Sequence, residues 1–328
     1  MATIEHCLET RISQRQELGF VSVVVPVYNE EANIEELVRR IRSALEARVG
    51  RFEIVLVDDG SRDRSLELMH RLADRYGEIV AVELQRNFGQ HAAILAGLEH
   101  CRGDVVVTLD ADLQNPPEEI PKLLDKVAEG YDVVGGWRAL RQDSRVRLLA
   151  SRLINRVTSR MVGVDMRDYG CMLRAYTRPI VDRLREGHER STFIPALATL
   201  FTKKVIEIPV AHDARTDGPS RYSLGRLIRL QFDLVTAFSP SPLKLISLAG
   251  ALIAVLGLVF AVFLAIRRLV VGPEVEGVFT LFGILFFFIG VQLLAIGILG
   301  EYVARIYIQV LNRPRFLVRA VHRRQDER

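Results

Sequence analysis

From residue 21 the chain alternates short β-branched apolar runs with longer stretches whose apolar residues recur at i, i+3 and i+4. VSVVVPV (21–27), EIVLVD (53–58), IVAVEL (79–84), DVVVTLD (104–110) and YDVVGG (131–136) read as strands. Their near-continuous apolar character fits a sheet covered on both faces. Segments such as EANIEELVRRIRSALEA between them carry helical spacing. This alternation predicts an α/β fold with a parallel sheet. After residue 137 the rhythm breaks into a charged stretch (RALRQDSRVR), a helix-like run to about Met161 and the polar turn DYG. A ligand site is expected there.

The C-terminal third follows a different pattern. Residues 245–266 and 277–300 carry no charge, and each is long enough as helix to cross a hydrocarbon layer of about 30 Å. Two transmembrane helices are predicted. Before them, YSLGRLIRLQFDLVTAFSP places Leu224, Leu227, Ile228, Phe232, Val235 and Phe238 near one helical face, with Arg226 and Arg229 elsewhere. That pattern predicts a helix lying on the membrane surface, with a core-packing helix as the alternative.

Composition adds to this division. In 328 residues, 49% hydrophobic and 26% charged content excludes wholesale disorder. The mean hydropathy of +0.16 averages two unlike parts. Arg221, Arg226, Arg229 and Lys244 precede the first apolar run, while Arg305, Arg313, Arg315, Arg319, Arg323 and Arg324 follow the second. The asymmetry predicts that both ends are cytoplasmic, although Arg267 and Arg268 in the connecting loop weaken it. No charged start with an apolar stretch and cleavage site opens the chain, so no cleaved signal peptide is expected.

Cys7, Cys101 and Cys171 are odd in number and lack CxxC spacing, which disfavours disulfides and structural zinc. A pI of 9.1 would suit nucleic acid. The basic surplus, however, sits beside the apolar runs, where anionic membrane lipids are the simpler partner. The resulting plan is an extension (1–19), a cytosolic α/β domain (20–220), an amphipathic helix (221–242), two membrane helices (243–300) and a basic tail (301–328).

In open α/β sheets ligands bind outside the carboxyl ends of strands, and here those ends are acidic. The first strand ends in Pro26, Val27, Tyr28, Asn29 and Glu30; the second in Asp58, Asp59, Gly60 and Ser61; the fourth in Asp110, Ala111, Asp112, Leu113 and Gln114. Carboxylates converging on one sheet edge repel unless a cation or a donor-rich ligand holds them. Asp110 and Asp112, two apart where the chain turns, suit Mg²⁺ or Mn²⁺ shared with a diphosphate. A lone D-x-D is a weak signal; its placement after VVVTL, with a second acidic pair after EIVLV, strengthens it.

VVVPVYNEE, IVLVDDGSRD and TLDADLQNP, in this order, resemble glycosyltransferase family 2 with its GT-A (Rossmann-like) fold. DYGCMLRAY and HERSTFIP, followed by two apolar runs, resemble its polyprenyl-phosphate branch, so that the likeness covers about residues 20–318. The resemblance implies that Pro26, Tyr28, Glu30, Val57, Asp58, Asp59 and Ala111 surround a UDP-sugar. It implies that Asp110, Asp112 and Gln114 hold the metal, with Asp112 also catalytic. Arg138, Arg215 and Arg221 would contact phosphate; Arg221 replaces a more usual lysine. Asp168 would act near the anomeric carbon as a base or an orienting group, with an Asx turn before Gly170 as the structural alternative. His188, Glu189 and Arg190 would read the sugar, unless they only lead into a helix capped by Ser191 or Thr192.

The activity so implied is inverting transfer of 4-deoxy-4-formamido-L-arabinose from UDP to undecaprenyl phosphate, in a multi-pass protein of the bacterial inner membrane, with lipid A modification and polymyxin resistance as the context. Transfer of another sugar such as glucose is the alternative. A processive synthase would need QxxRW, whereas the single Trp is Trp137, in GGWRA. A catalytically dead nucleotide-sugar sensor conflicts with intact Asp110, Asp112 and Gln114. Nucleic acid is not an expected partner, and the sequence leaves a homo-oligomer open.

Overall fold

The structure, a computed structural model, describes residues 18–138, 168, 171–187, 193–212, 241–272, 278–311 and 314–324. The amphipathic helix expected over 221–242, Arg215, Arg221, the His188–Arg190 group and residues 1–17 lie outside the described residues, save Ser241 and Pro242. The described chain divides into two units, one globular (18–212 with 314–324) and one helical (241–311).

The globular unit begins with β1 (Phe20–Val27), α1 (Ile34–Glu46), β2 (Arg51–Asp58), α2 (Ser65–Arg75), β3 (Ile79–Leu84), α3 (Gln90–His100) and β4 (Val105–Thr108). It continues with α4 (Ile120–Ala128), β5 (Val133–Arg138), β6 (Arg174–Thr177), α5 (Arg178–Glu186), α6 (Ile194–Leu200) and β7 (Val205–Val210). Two long helices follow in the other unit, α7 (Ser241–Val271) and α8 (Val278–Val310), and the chain ends in β8 (Val318–Arg323).

The eight strands among the described residues form one sheet in the order β7-β5-β6-β4-β1-β2-β3-β8. β1 pairs parallel with β2 and β4, β2 with β3, and β5 with β7; β6 and β8 run antiparallel to their neighbours. The sheet is therefore mixed rather than wholly parallel. RAYT of β6 is too short to show a period, and it reverses direction between β4 and β5. Every other strand but β8 points its carboxyl end to the same edge, with the order switching direction at β1, where ligand crevices form in such sheets.

The apolar alternation resolves into packing. Val21, Val23, Val25 and Val27 lie in the core with Ile34, Leu37, Val38, Ile41 and Leu45 of α1, so truncating Leu37 to Ala costs about 2–5 kcal/mol. α3 is buried nearly all round, at Ala92, Ala93, Ile94, Leu95, Ala96 and Leu98, which is why its sequence shows no polar face. Register sets the working edge: Val27 pairs with Asp58, so residues 28 and 59 leave the sheet together, while Val24 pairs with Thr108, so β4 ends three residues earlier and Asp110 and Asp112 follow in the loop beside them.

The segment read as a basic tail contains regular structure. α8 runs on to Val310, and β8 docks antiparallel on β3. Arg319 reaches Glu83 at 3.0 Å, His322 reaches Asp74 at 2.6 Å and Arg323 donates to the His100 carbonyl at 2.7 Å. These charged contacts cover an edge strand that would otherwise expose unpaired backbone groups.

In the helical unit the apolar side chains face outward: Leu248 is 71% and Phe286 67% exposed. Among the described residues one stretch, Ile284–Val310, is long and apolar enough by itself to cross a membrane, at mean hydropathy 2.2, and Leu243–Gly257 is a shorter apolar run.

Candidate active site

The loops after β1 and β2 are built on each other. The amide of Asn29, in the left-handed region at φ 55°, donates to Ser61 Oγ at 3.0 Å, and its own side-chain oxygen accepts from the Arg62 amide at 2.7 Å. The Glu30 amide donates to Ser65 Oγ at 2.9 Å, and the Asn33 amide group donates to Glu30 Oε2 at 2.7 Å. Asp58 accepts from the amides of Gly60 and Ser61, each at 3.2 Å. Asp59 accepts from Phe88 at 2.7 Å and Gly89 at 2.9 Å, fixing the turn that opens α3. Burial pushes both carboxyls up, against the pull of those same hydrogen bonds. Gly60 takes φ +72°, and a Cβ there would stand 2.7 Å from the Asn87 nitrogen, so only glycine lets the loop after β2 approach the segment after β3.

The β4 end is less settled. Leu113 sits at φ 59°, a conformation that costs a branched residue about 1–2 kcal/mol. It folds the chain back so that the Gln114 amide donates to Asp112 Oδ1 at 3.1 Å. Asp110 accepts a short hydrogen bond from the Gln90 side chain. Burial pushes the Asp110 carboxyl up to about 7, with Asp112 the next cause and Glu30 a further repulsion, against Arg138 and Gln90. Three carboxylates from β1 and β4 thus share one field.

Across from them, Arg138 at the end of β5 grips Asp168 with two bonds, Nε to Oδ2 at 2.6 Å and Nη2 to Oδ1 at 2.9 Å. Both side chains are largely buried. The Asp168 hydrogen bond holds the Arg138 guanidinium firmly protonated.

A family model described as "Glycosyl transferase family 2" matches residues 22–185. An undecaprenyl-phosphate 4-deoxy-4-formamido-L-arabinose transferase of Edwardsiella ictaluri is 52% identical over 315 residues, covering 95% of this chain and 97% of that one. A protein of the same name from Pseudomonas aeruginosa is 56% identical over 310 residues, 93% of this chain and 91% of that one. The chain belongs to glycosyltransferase family 2. Among solved structures, glucosyl-3-phosphoglycerate synthase from Mycobacterium tuberculosis, in complex with Mn²⁺, UDP and glucosyl-3-phosphoglycerate, aligns at TM-score 0.48 and 22% identity over 67% of this chain and 78% of that one.

Within this family 2 glycosyltransferase, the structure brings Glu30, Asp110, Asp112, Arg138 and Asp168 to one edge. Tyr28 is 44% exposed there, leaving its ring free to meet a ligand, and Pro26 is half-buried beside it. Val57 and Ala111 are buried, so their side chains belong to the core.

Sequence reasoning passed over three neighbours of the site. Gln90 and His91 open α3 just after the third strand's end, so the rule applied to the other strands would have found them. The His91 ring lies edge-on to Phe193 at 5.3 Å, its Nδ1 is buried with no protein partner, and desolvation lowers its pKa to about 4, so it is neutral. His212 follows β7, a strand not foreseen. Its Nδ1 is likewise buried without a partner, and Arg138, Asp112 and Asp168 all act on it.

Cys101 and Cys171 are free and buried, and burial pushes both thiols up to about 11, which makes them poor nucleophiles. Among the described residues no group of three His, Cys, Asp or Glu side chains forms a metal cage.

Proposed function

We propose that this enzyme transfers 4-deoxy-4-formamido-L-arabinose from UDP to undecaprenyl phosphate, with inversion, at the cytoplasmic face of a bacterial inner membrane. The context is lipid A modification and polymyxin resistance. The observation that carries this reading is the 52% and 56% identity to transferases of that name over more than nine-tenths of the chain. The site geometry supports the chemistry. Tyr28 and the loops held by Asp58 and Asp59 receive the nucleoside, while Glu30 offers an acceptor for ribose hydroxyls.

The donor set at β4 fits a divalent ion that keeps water and shares the donor's diphosphate: two carboxylates and the side-chain carbonyl oxygen of Gln114, with too few protein ligands to enclose it. Asp110 and Asp112 would hold Mg²⁺ or Mn²⁺; burial first, and repulsion from Asp112 second, raise the Asp110 pKa, and such an ion would offset both. When bound, the ion supplies Lewis-acid stabilisation of the departing diphosphate.

The acceptor shapes the other half of the site. A phosphate monoester loses its second proton near about pH 6 and is a competent nucleophile at neutral pH. It needs cationic groups to bring it beside an anionic donor, more than it needs a base. Arg138 is placed for this, and a carboxylate gripped twice by a guanidinium is a poor base, so Asp168 acts as the orienting partner. Arg215 and Arg221 would contact the same phosphate, and His188, Glu189 and Arg190 the sugar.

The sheet supports a membrane hairpin. α7 and α8 lie between β7 and β8, and both strands belong to the same sheet. A chain that leaves a domain and returns to it crosses a bilayer an even number of times. If α8 spans, α7 spans with it, and the loop between them is on the far side.

The test is a donor panel. Purified enzyme with undecaprenyl phosphate and several UDP-sugars is followed by mass spectrometry of the lipid. The formamido sugar should be transferred in preference to glucose; preference for glucose would replace this reading.

A further inference from the structure

Among the described residues Arg174 is one of the largest fully buried side chains, a cation in the middle of a sheet. Burying an ion costs several kcal/mol unless its partners are well placed, so the partners indicate what it is for. Its Nε donates to the Cys171 carbonyl at 3.0 Å, and its Nη2 donates to the Asp168 carbonyl at 2.9 Å and lies 3.6 Å from Glu207 Oε1. Its Nη1 is buried with no protein partner.

The three strands are in register for this. Arg174 of β6 pairs with Gly135 of β5, which pairs with Glu207 of β7. The guanidinium passes over Gly135: a Cβ there would stand 2.6 Å from Nη1 and 3.3 Å from Glu207 Cγ. An arginine that only filled space would not need a missing side chain on one neighbouring strand and a carboxylate on the next.

We propose that Arg174 is a positioning residue. Stretched across Gly135 towards Glu207, it holds the main chain of Asp168 and Cys171, and through it sets the Asp168–Arg138 pair at the reacting centre. This rests on the reading of Asp168 given above.

The test uses the full-length enzyme with undecaprenyl phosphate and its UDP-sugar. Arg174→Lys keeps the charge but loses the two-nitrogen fork that holds the two carbonyls; Gly135→Ala keeps the arginine but crowds it, and so carries the test if Arg174→Lys does not fold. In folded variants kcat should fall by about tenfold or more, while the UDP-sugar KM moves by less than about twofold. On an Asp168→Asn background neither substitution should lower kcat further, because both act through that residue. Folded variants with unchanged kcat, or losses that multiply those of Asp168→Asn, would overturn the inference and leave Arg174 a structural residue. Asp168→Asn that itself leaves kcat intact would overturn the reading of Asp168 instead.

Discussion

Carboxylates crowd both the β2 and the β4 ends of the sheet, yet the protein treats them differently. At β2, Asp58 and Asp59 are each held by two backbone amides, and Asp63 accepts from the amides of Ser65 and Glu31. At β4, Asp110 has the Gln90 side chain, Asp112 has the amide two residues on, and the two repel each other and Glu30. The first arrangement completes a scaffold with charge. The second leaves charge that a ligand must complete, and Leu113 stays in a strained conformation to maintain it. Burial alone does not tell the two apart; the number of donors aimed at each carboxylate does.

The sharpest way to break this contrast is Asp112→Asn. It should cost at least about a thousandfold in turnover with no loss of folded protein, measured by lipid mass spectrometry beside a thermal melt. Asp168→Asn comes next: releasing Arg138 from its two-point grip should lower kcat by about a hundredfold and change the KM for UDP-sugar little, read from initial rates. Asp59→Ala should reverse the balance. Leaving the Phe88 and Gly89 amides unpaired should cost about 3 kcal/mol of stability in denaturant titration, with a much smaller loss of turnover per folded molecule than Asp112→Asn.

Much of this was legible because the chemistry follows the strands in sequence. Glu30, Asp58, Asp110 and Asp112 all come within a few residues of an apolar run, and the strand-end rule finds them together. What the sequence hides is pairing. Arg138 and Asp168 are 30 residues apart with no spacing that links them, so the arginine reads as a phosphate contact before the structure shows its grip on the aspartate. Asp59 reads as a nucleoside contact and is also the anchor of the α3 turn. Arg174 looks like one more charge beside AYT, because nothing local marks the glycine one strand away and the glutamate two strands away that it meets. His212 follows a strand whose residues, VIEIPV, are half-exposed and lack the continuous apolar character of the central ones.

The smallest expected effect sharpens the scaffold side. Asp58 has a raised pKa in the folded protein, so its contribution to stability is fully present below the ordinary carboxylate range and is lost as the pH rises through the raised value. Asp58→Asn removes that titration. As the pH rises above the ordinary carboxylate range, the fall in Tm should be shallower than in the parent by about 2 °C.

Mn²⁺ titration followed by electron paramagnetic resonance, in the presence of UDP, compares the two carboxylate groups most directly. One tightly held Mn²⁺ per chain is expected in the parent and in folded Asp59→Ala, and none in Asp112→Asn. Binding that survives in Asp112→Asn and disappears in folded Asp59→Ala would place the ion at the other strand end and contradict the division drawn between them.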